Sequence, residues 1–299
     1  MADQSIEEQF GISTHFMPAT HGETLEQAAD AVLDAGFAGF EIVPADAQAQ
    51  IGHPHNIPNV GLWPREFLPE QRQVLRQRLA GFRFSTVHAP HLDLNIASAN
   101  RGIREESVRQ YFECMDLAID LGVEIVTFHS GHATPGFIRP EEELLAHEVS
   151  FARRAVEYAE RRALRVGYET GAVGRLRRVF AEVPDMGVNI DLGHTAMQGV
   201  DPAALIEEFA DRLVEIHFNG VVHYWGGFME HVPVNRNNVI DYPAVAAAVR
   251  KVGFRGPIVF ELQGNDIAQV IAVCAEAREM LRGLWGGTLT MEQRWYVGD

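Results

Sequence analysis

Eight short apolar segments recur along this chain, each followed by a stretch with helical periodicity. The strand-like segments cover residues 10–14, 39–43, 82–88, 123–129, 164–169, 186–191, 213–218 and 258–262. The stretches between them carry apolar side chains at the spacing of a helix that buries one face. Leu25, Ala28, Ala29, Val32 and Leu33 are one such set, and Gly36 stops that helix. Asp201-Pro202 sets a cap and then a proline at the start of another. Eight strand–helix units in one chain predict an α/β fold, a closed (β/α)8 TIM barrel, as a single domain over residues 1–282. The alternative, an open doubly wound sheet, usually shows a glycine-rich fingerprint after a strand. Here Gly171-Ala172-Val173-Gly174 is only a short turn into a helix. The tail, residues 283–299, carries Trp285, Trp295 and Tyr296, and is expected to pack on the barrel or on a partner subunit.

In a parallel barrel all strand carboxyl ends lie on one rim. The segment Val188-Asn189-Ile190-Asp191 ends on a carboxylate, and His194 follows three residues later. The other strands end in His88, His129, Glu169, His217 and Glu261. Taken singly, a strand-end histidine is more often a hydrogen-bonded loop residue, and a strand-end aspartate a helix cap. Their common placement on the correct ends predicts one metal site. Carboxylate oxygen and imidazole nitrogen suit Mn²⁺, Co²⁺, Mg²⁺ or Zn²⁺ at about 2.0–2.2 Å. Glu41 also closes a strand, but is a weaker candidate. His53, His55, His91, His132 and His223 fall on rim loops and read as loop residues, and His147 is mid-helix. Trp63, Trp225 and Phe228 suit either a lid or platform over a sugar face or ordinary loop packing.

Bulk properties narrow the chemistry. The net charge of -16 opposes phosphate backbones and acidic membranes, so nucleic acid is an unfavoured partner. No apolar run approaches the roughly 20 residues of a membrane span, and the acidic, polar start lacks the pattern of an export signal. Cys114 and Cys274 lie far apart in helical patterns and read as reduced core thiols of a cytoplasmic protein. Lys251 is the sole lysine and sits near a helix end, which excludes Schiff-base chemistry at a strand end.

The motifs His88-Ala89-Pro90, Phe128-His129-Ser130-Gly131, Tyr168-Glu169-Thr170, Asp191-Leu192-Gly193-His194, Glu215-Ile216-His217, His231-Val232-Pro233-Val234 and Phe260-Glu261-Leu262 resemble the xylose isomerase-like TIM barrel superfamily. That group holds sugar isomerases and epimerases together with the endonuclease IV family. The ketose 3-epimerase branch implies Glu169, Asp191, His217 and Glu261 as metal ligands. The endonuclease IV branch implies more ions, adding His88 and His129 at one site and His194 and His231 at another. The chain departs from that branch at Met229, where an aspartate is expected, with Glu230 beside it. It departs again at Asn235-Arg236-Asn237-Asn238 and at Gly11-Ile12-Ser13-Thr14.

The resemblance implies a metal-dependent isomerase or epimerase of a ketose or polyol. Glu169 and Glu261 would exchange the proton through an enediolate, and His194 would hydrogen-bond the substrate oxygen. The alternative it implies is a metal-dependent phosphodiester hydrolase acting on DNA. The family likeness also suggests a homodimer or homotetramer.

Overall fold

The computed structural model describes residues 6–44, 59–133 and 140–286. Eight parallel strands close into a barrel: β1 (Phe10–Ser13), β2 (Gly39–Ile42), β3 (Phe84–His88), β4 (Ile125–Phe128), β5 (Arg165–Glu169), β6 (Gly187–Asp191), β7 (Leu213–Phe218) and β10 (Ile258–Phe260). They follow one another around the barrel in chain order. Closure comes at β1, where Ile12 sits in register with Phe40 of β2 and Phe260 of β10. The expected (β/α)8 barrel is therefore what the described chain forms.

The outer layer holds α1 (Leu25–Asp34), α2 (Pro69–Leu79), α3 (Arg101–Leu121), α4 (Glu141–Glu160), α5 (Val173–Glu182), α7 (Pro202–Glu208), α8 (Tyr242–Val252) and α9 (Ile267–Trp285). Their ends follow local chemistry. Thr24 accepts from the Gln27 backbone and the Gln27 side chain accepts from Thr24 N–H, so two otherwise orphaned donors are satisfied at the start of α1. Gly122 and Gly253 end α3 and α8 at φ 75° and 66°, where a side chain would be strained.

Two elements escape a periodicity reading. The loop after β7 contains an antiparallel hairpin of β8 (Gly220–Tyr224) and β9 (Gly227–Val232). A six-residue helix, α6 (Leu192–Met197), starts on Asp191 itself. The last helix also runs past the expected boundary. Leu284 and Trp285 pack against the core, and Arg250 Nη1 donates to the Leu284 carbonyl. Trp295 and Tyr296 lie outside the described residues, as do His53 and His55.

Barrel interiors are usually filled by branched aliphatic side chains. Here the layer beneath the carboxyl mouth is polar instead. Glu41, Thr86, Thr127, Asn189, Glu215 and His217 are all buried there. Lower down, the Phe84 ring lies across Gly39, where an added Cβ would come within 1.9 Å of it.

Candidate metal centre

The strands deliver their last side chains to one point. One donor atom from each of Glu169, Asp191, His217 and Glu261 lies within 4.8 Å of the other three, and all four residues are buried. His217 Nδ1 is 2.8 Å from Glu169 Oε1 and 3.4 Å from Glu261 Oε2. Asp191 Oδ1 accepts from His194 N–H at 2.7 Å, which caps α6, and Oδ2 accepts from Asn219 Nδ2 at 2.7 Å. These fixed bonds orient the carboxylate.

Two further groups flank this centre. His88, His91 and His129 converge on one side, with His88 Nε2 3.1 Å from His129 Nε2. The two face Glu169 Oε2 at 3.2 and 2.6 Å. His88 Nδ1 lies 2.8 Å from the Ala89 carbonyl and donates to it, which turns Nε2 to the cluster. On the other side stand Asp191, His194 and His231. Glu230 Oε2 lies 3.4 Å from His194 Nε2, so a carboxylate does reach this flank, from the residue after Met229. His231 holds φ 56°, an uncommon backbone state for a residue with a side chain, at a position where β9 enters the site.

The cluster concentrates negative charge away from water. Burial raises the Glu169 carboxyl, but hydrogen bonds from His129 and His217 and the charge of His194 hold it well below the usual range. Burial likewise opposes the ionised form of Glu261, and His217 and His15 overcome it. Burial pushes Asp191 up to about 7, against the pull of His194. The balancing protons sit on imidazoles. Burial opposes this, yet the carboxylates hold His88 up to about 10, His194 up to about 9 and His217 well above its ordinary value. Burial instead drives His129 and His231 down to about 3, which keeps them neutral and able to ligate.

A divalent cation fits this donor set. It would replace protons that carboxylates otherwise force onto buried histidines. Glu261 faces the same point through Oε2, 3.4 Å from His217 Nδ1, and keeps Oε1 buried without a hydrogen-bond partner, 3.6 Å from His15 Nδ1. A cavity of about 310 Å³ opens beside the cluster, lined by His129, Glu169, His194, Ser130, Thr170 and Gln198 among others. A larger cavity of about 550 Å³ lies between α3 and α4, beside Phe112, His147 and Arg154, and contains none of the clustered groups.

Other expected residues separate cleanly. Glu41 lies beneath the centre, 3.2 Å from His217 Nε2. His91 joins the flank, its ring stacked on His129 at 4.2 Å. His132 is tied by its backbone to Asn95 outside the clusters. His223 packs against Phe228 on the hairpin, ring centroids 4.7 Å apart and tilted by 38°. Trp225 is 101% exposed at the hairpin turn. Glu215, Asn189 and Asn219 are the residues that sequence reading missed. Glu215 and Asn189 stand two positions before His217 and Asp191, on the same face of their strands, so alternation alone could have found them.

Fold and site together define a class: a (β/α)8 barrel whose carboxyl-end mouth gathers groups able to hold a metal ion. The chain belongs to the xylose isomerase-like TIM barrel family, which matches residues 29–284. Uncharacterized protein MJ1311 of Methanocaldococcus jannaschii is 26% identical over 273 residues, covering 86% of this chain and 84% of that protein. The 3-dehydroshikimate dehydratase of Pseudomonas putida is 25% identical over 277 residues, covering 87% of this chain but 39% of that protein. Sugar epimerases are among the solved structures of like fold. A D-tagatose 3-epimerase-like protein superposes with a TM-score of 0.73 at 20% identity, over 94% of this chain and 100% of that one. Among the described residues, no helix is long and apolar enough to cross a membrane.

Proposed function

We propose that this protein is a divalent-metal-dependent epimerase or isomerase acting on an uncharged ketose or polyol. The observation that carries the reading is the pair of glutamates at the mouth. Glu169 and Glu261 both reach His217 Nδ1, from β5 and from the end of β10. Glu169, Asp191, His217 and Glu261 would hold the ion, and the chemistry it supplies when bound is Lewis-acid polarisation of a carbonyl.

The protein's own groups then move the proton. Glu261 Oε1 is the less engaged oxygen of the pair, so Glu261 is the better base for the C–H beside the carbonyl. Both Glu169 oxygens already face imidazoles. Glu169, carrying a proton of its own for this step, delivers it to the other side, which inverts the carbon, and Glu261 loses the proton it took to solvent. His194 lines the cavity and hydrogen-bonds the substrate oxygen. The described residues lining that cavity include no arginine or lysine, which favours a neutral substrate over a sugar phosphate or a carboxylate. The two free, buried thiols suit a reducing, cytoplasmic setting.

The flanking histidines favour a second reading, a multi-metal phosphodiesterase. Against it stand the net charge of -16 and the absence of arginine and lysine from the described cavity lining. The test is elemental analysis of the purified protein, followed by incubation with a ketose panel in D₂O. One ion per chain and deuterium entering the carbon beside the carbonyl are expected. Three zinc ions per chain with cleavage of abasic DNA would replace the epimerase by the hydrolase.

A further inference from the structure

Two carboxylates lie inside the barrel beneath the metal centre, with His217 as the imidazole beside them. Glu41 and Glu215 are both completely buried. Their Oε2 atoms accept from Thr86 Oγ1 at 3.1 Å and from Thr127 Oγ1 at 2.8 Å. Their Oε1 atoms have no hydrogen-bond partner. Burying such groups is costly unless something uses them. Both face the underside of His217, with Nε2 3.2 Å from Glu41 Oε2 and 3.8 Å from Glu215 Oε2.

A neutral imidazole has one lone pair and one N–H. His217 turns Nδ1 up to Glu169 and Glu261, and Nε2 down to Glu41. If Nδ1 gives its lone pair to a cation, Nε2 must carry the proton and must find an acceptor.

We propose that Glu41 is a positioning residue for the metal centre, its carboxylate accepting the Nε2 proton of His217 so that Nδ1 is left to the cation. The role rests on the metal-site reading above. Asn189 supports it. Its amide nitrogen sits 2.7 Å from Nε2 while its own Oδ1 has no partner. Turning that amide over gives up its long contacts, 3.4 Å each, to Thr127 Oγ1 and Glu215 Oε2 and brings Oδ1 to the N–H as a second acceptor. The charged acceptor is the stronger of the two, and metal-bound histidines rely on such partners to hold their tautomer. The same N–H forbids a second ion among Glu41, Glu215 and His217, although these three are close enough to hold one. Filling the upper site makes the lower carboxylates hydrogen-bond acceptors.

The test is Mn²⁺ affinity by competition with a chelator, for wild type, Glu41→Met and Glu41→Gln, together with melting of each metal-free protein. Loss of the second partner of a ligating histidine weakens binding about 10–100-fold. That loss is expected for Glu41→Met, with a smaller one for Glu41→Gln, whose amide oxygen still accepts. If Glu41→Met does not fold, Glu41→Gln decides: Mn²⁺ binding unchanged from wild type would overturn the proposal. So would lowered metal-free melting in Glu41→Met with Mn²⁺ affinity within twofold of wild type, which marks a purely structural role. Nitrogen-15 spectra of the Zn²⁺ complex give a second readout, with His217 protonated at Nε2 expected and metal on Nε2 overturning it. A wild-type protein that binds none of Mn²⁺, Co²⁺, Mg²⁺ or Zn²⁺ removes the metal centre itself, an outcome distinct from failure of the Glu41 role alone.

Discussion

Arg175→Met probes how the barrel wall holds the loop behind His129. Glu148 of α4 is 0% exposed, and Arg175 of α5 places Nε 3.0 Å from its Oε1. Arg175 Nη2 also donates to the Gly131 carbonyl at 2.7 Å, two residues after His129. Burial pushes Glu148 up to about 7 despite the opposing pull of Arg175.

The cost of the substitution has two main parts, because the third contact, Arg175 Nη1 to the exposed Glu141 at 3.2 Å, adds only about 0–1 kcal/mol. Losing a charged donor to Gly131 costs about 2 kcal/mol at any pH. Losing the counter-charge matters only while Glu148 is ionised in the wild type, which means above about pH 7. Protonation caps that part at roughly 1.4 kcal/mol per pH unit above 7, because the variant can keep Glu148 neutral. Arg175→Met should therefore cost about 2 kcal/mol at pH 5.5 and about 3–4 kcal/mol at pH 8, near the range for a broken buried pair. The sign for Glu148 itself follows from linkage. Its folded value lies above the ordinary 4.5, so stability falls as pH rises from 4.5 to about 7. Glu148→Gln should flatten that slope and leave Arg175→Met with the same cost at both pH values. Urea denaturation of the four proteins at pH 5.5 and 8 measures this, since shared pH effects cancel in the differences. A cost for Arg175→Met that does not change with pH, or one that still changes in the Glu148→Gln background, would refute the reasoning.

Three more outcomes follow from the same geometry. Glu169→Gln and Glu261→Gln should each lower turnover on the active ketose by about 10²–10⁴-fold while remaining folded by circular dichroism. Full turnover in both would remove the two-glutamate mechanism. Gly39→Ala should destabilise by about 1–3 kcal/mol in urea, because its Cβ would meet the Phe84 ring at 1.9 Å. A melting curve unchanged from wild type would mean that Phe84 has another rotamer open to it. Trp225→Ala should stay within about 0.5 kcal/mol of wild type, since the indole is fully exposed. A larger loss in the urea midpoint would show that the indole packs against something.

The sequence by itself determined the barrel and which strand-end side chains would share its mouth. Strand–helix alternation compels parallel pairing, and parallel pairing sends every strand's carboxyl end to one rim. His88, His129, Glu169, Asp191, His217 and Glu261 could therefore be brought together without coordinates, and the family resemblance singled out the last four. The polar layer beneath them was written in the two-residue repeat, in Glu215 below His217 and Asn189 below Asp191. Tertiary structure alone decided the rest. Only packing shows that His91 joins His88 and His129 while His132 does not, since both sit on loops with no periodicity to orient them. Only the hairpin brings Glu230 to His194 in place of the residue before it. Glu41 and His217 lie 176 positions apart and meet only because the barrel closes. Periodicity encodes which face a side chain takes within its own element. The distance between two faces depends on how whole elements pack, and no local pattern carries it.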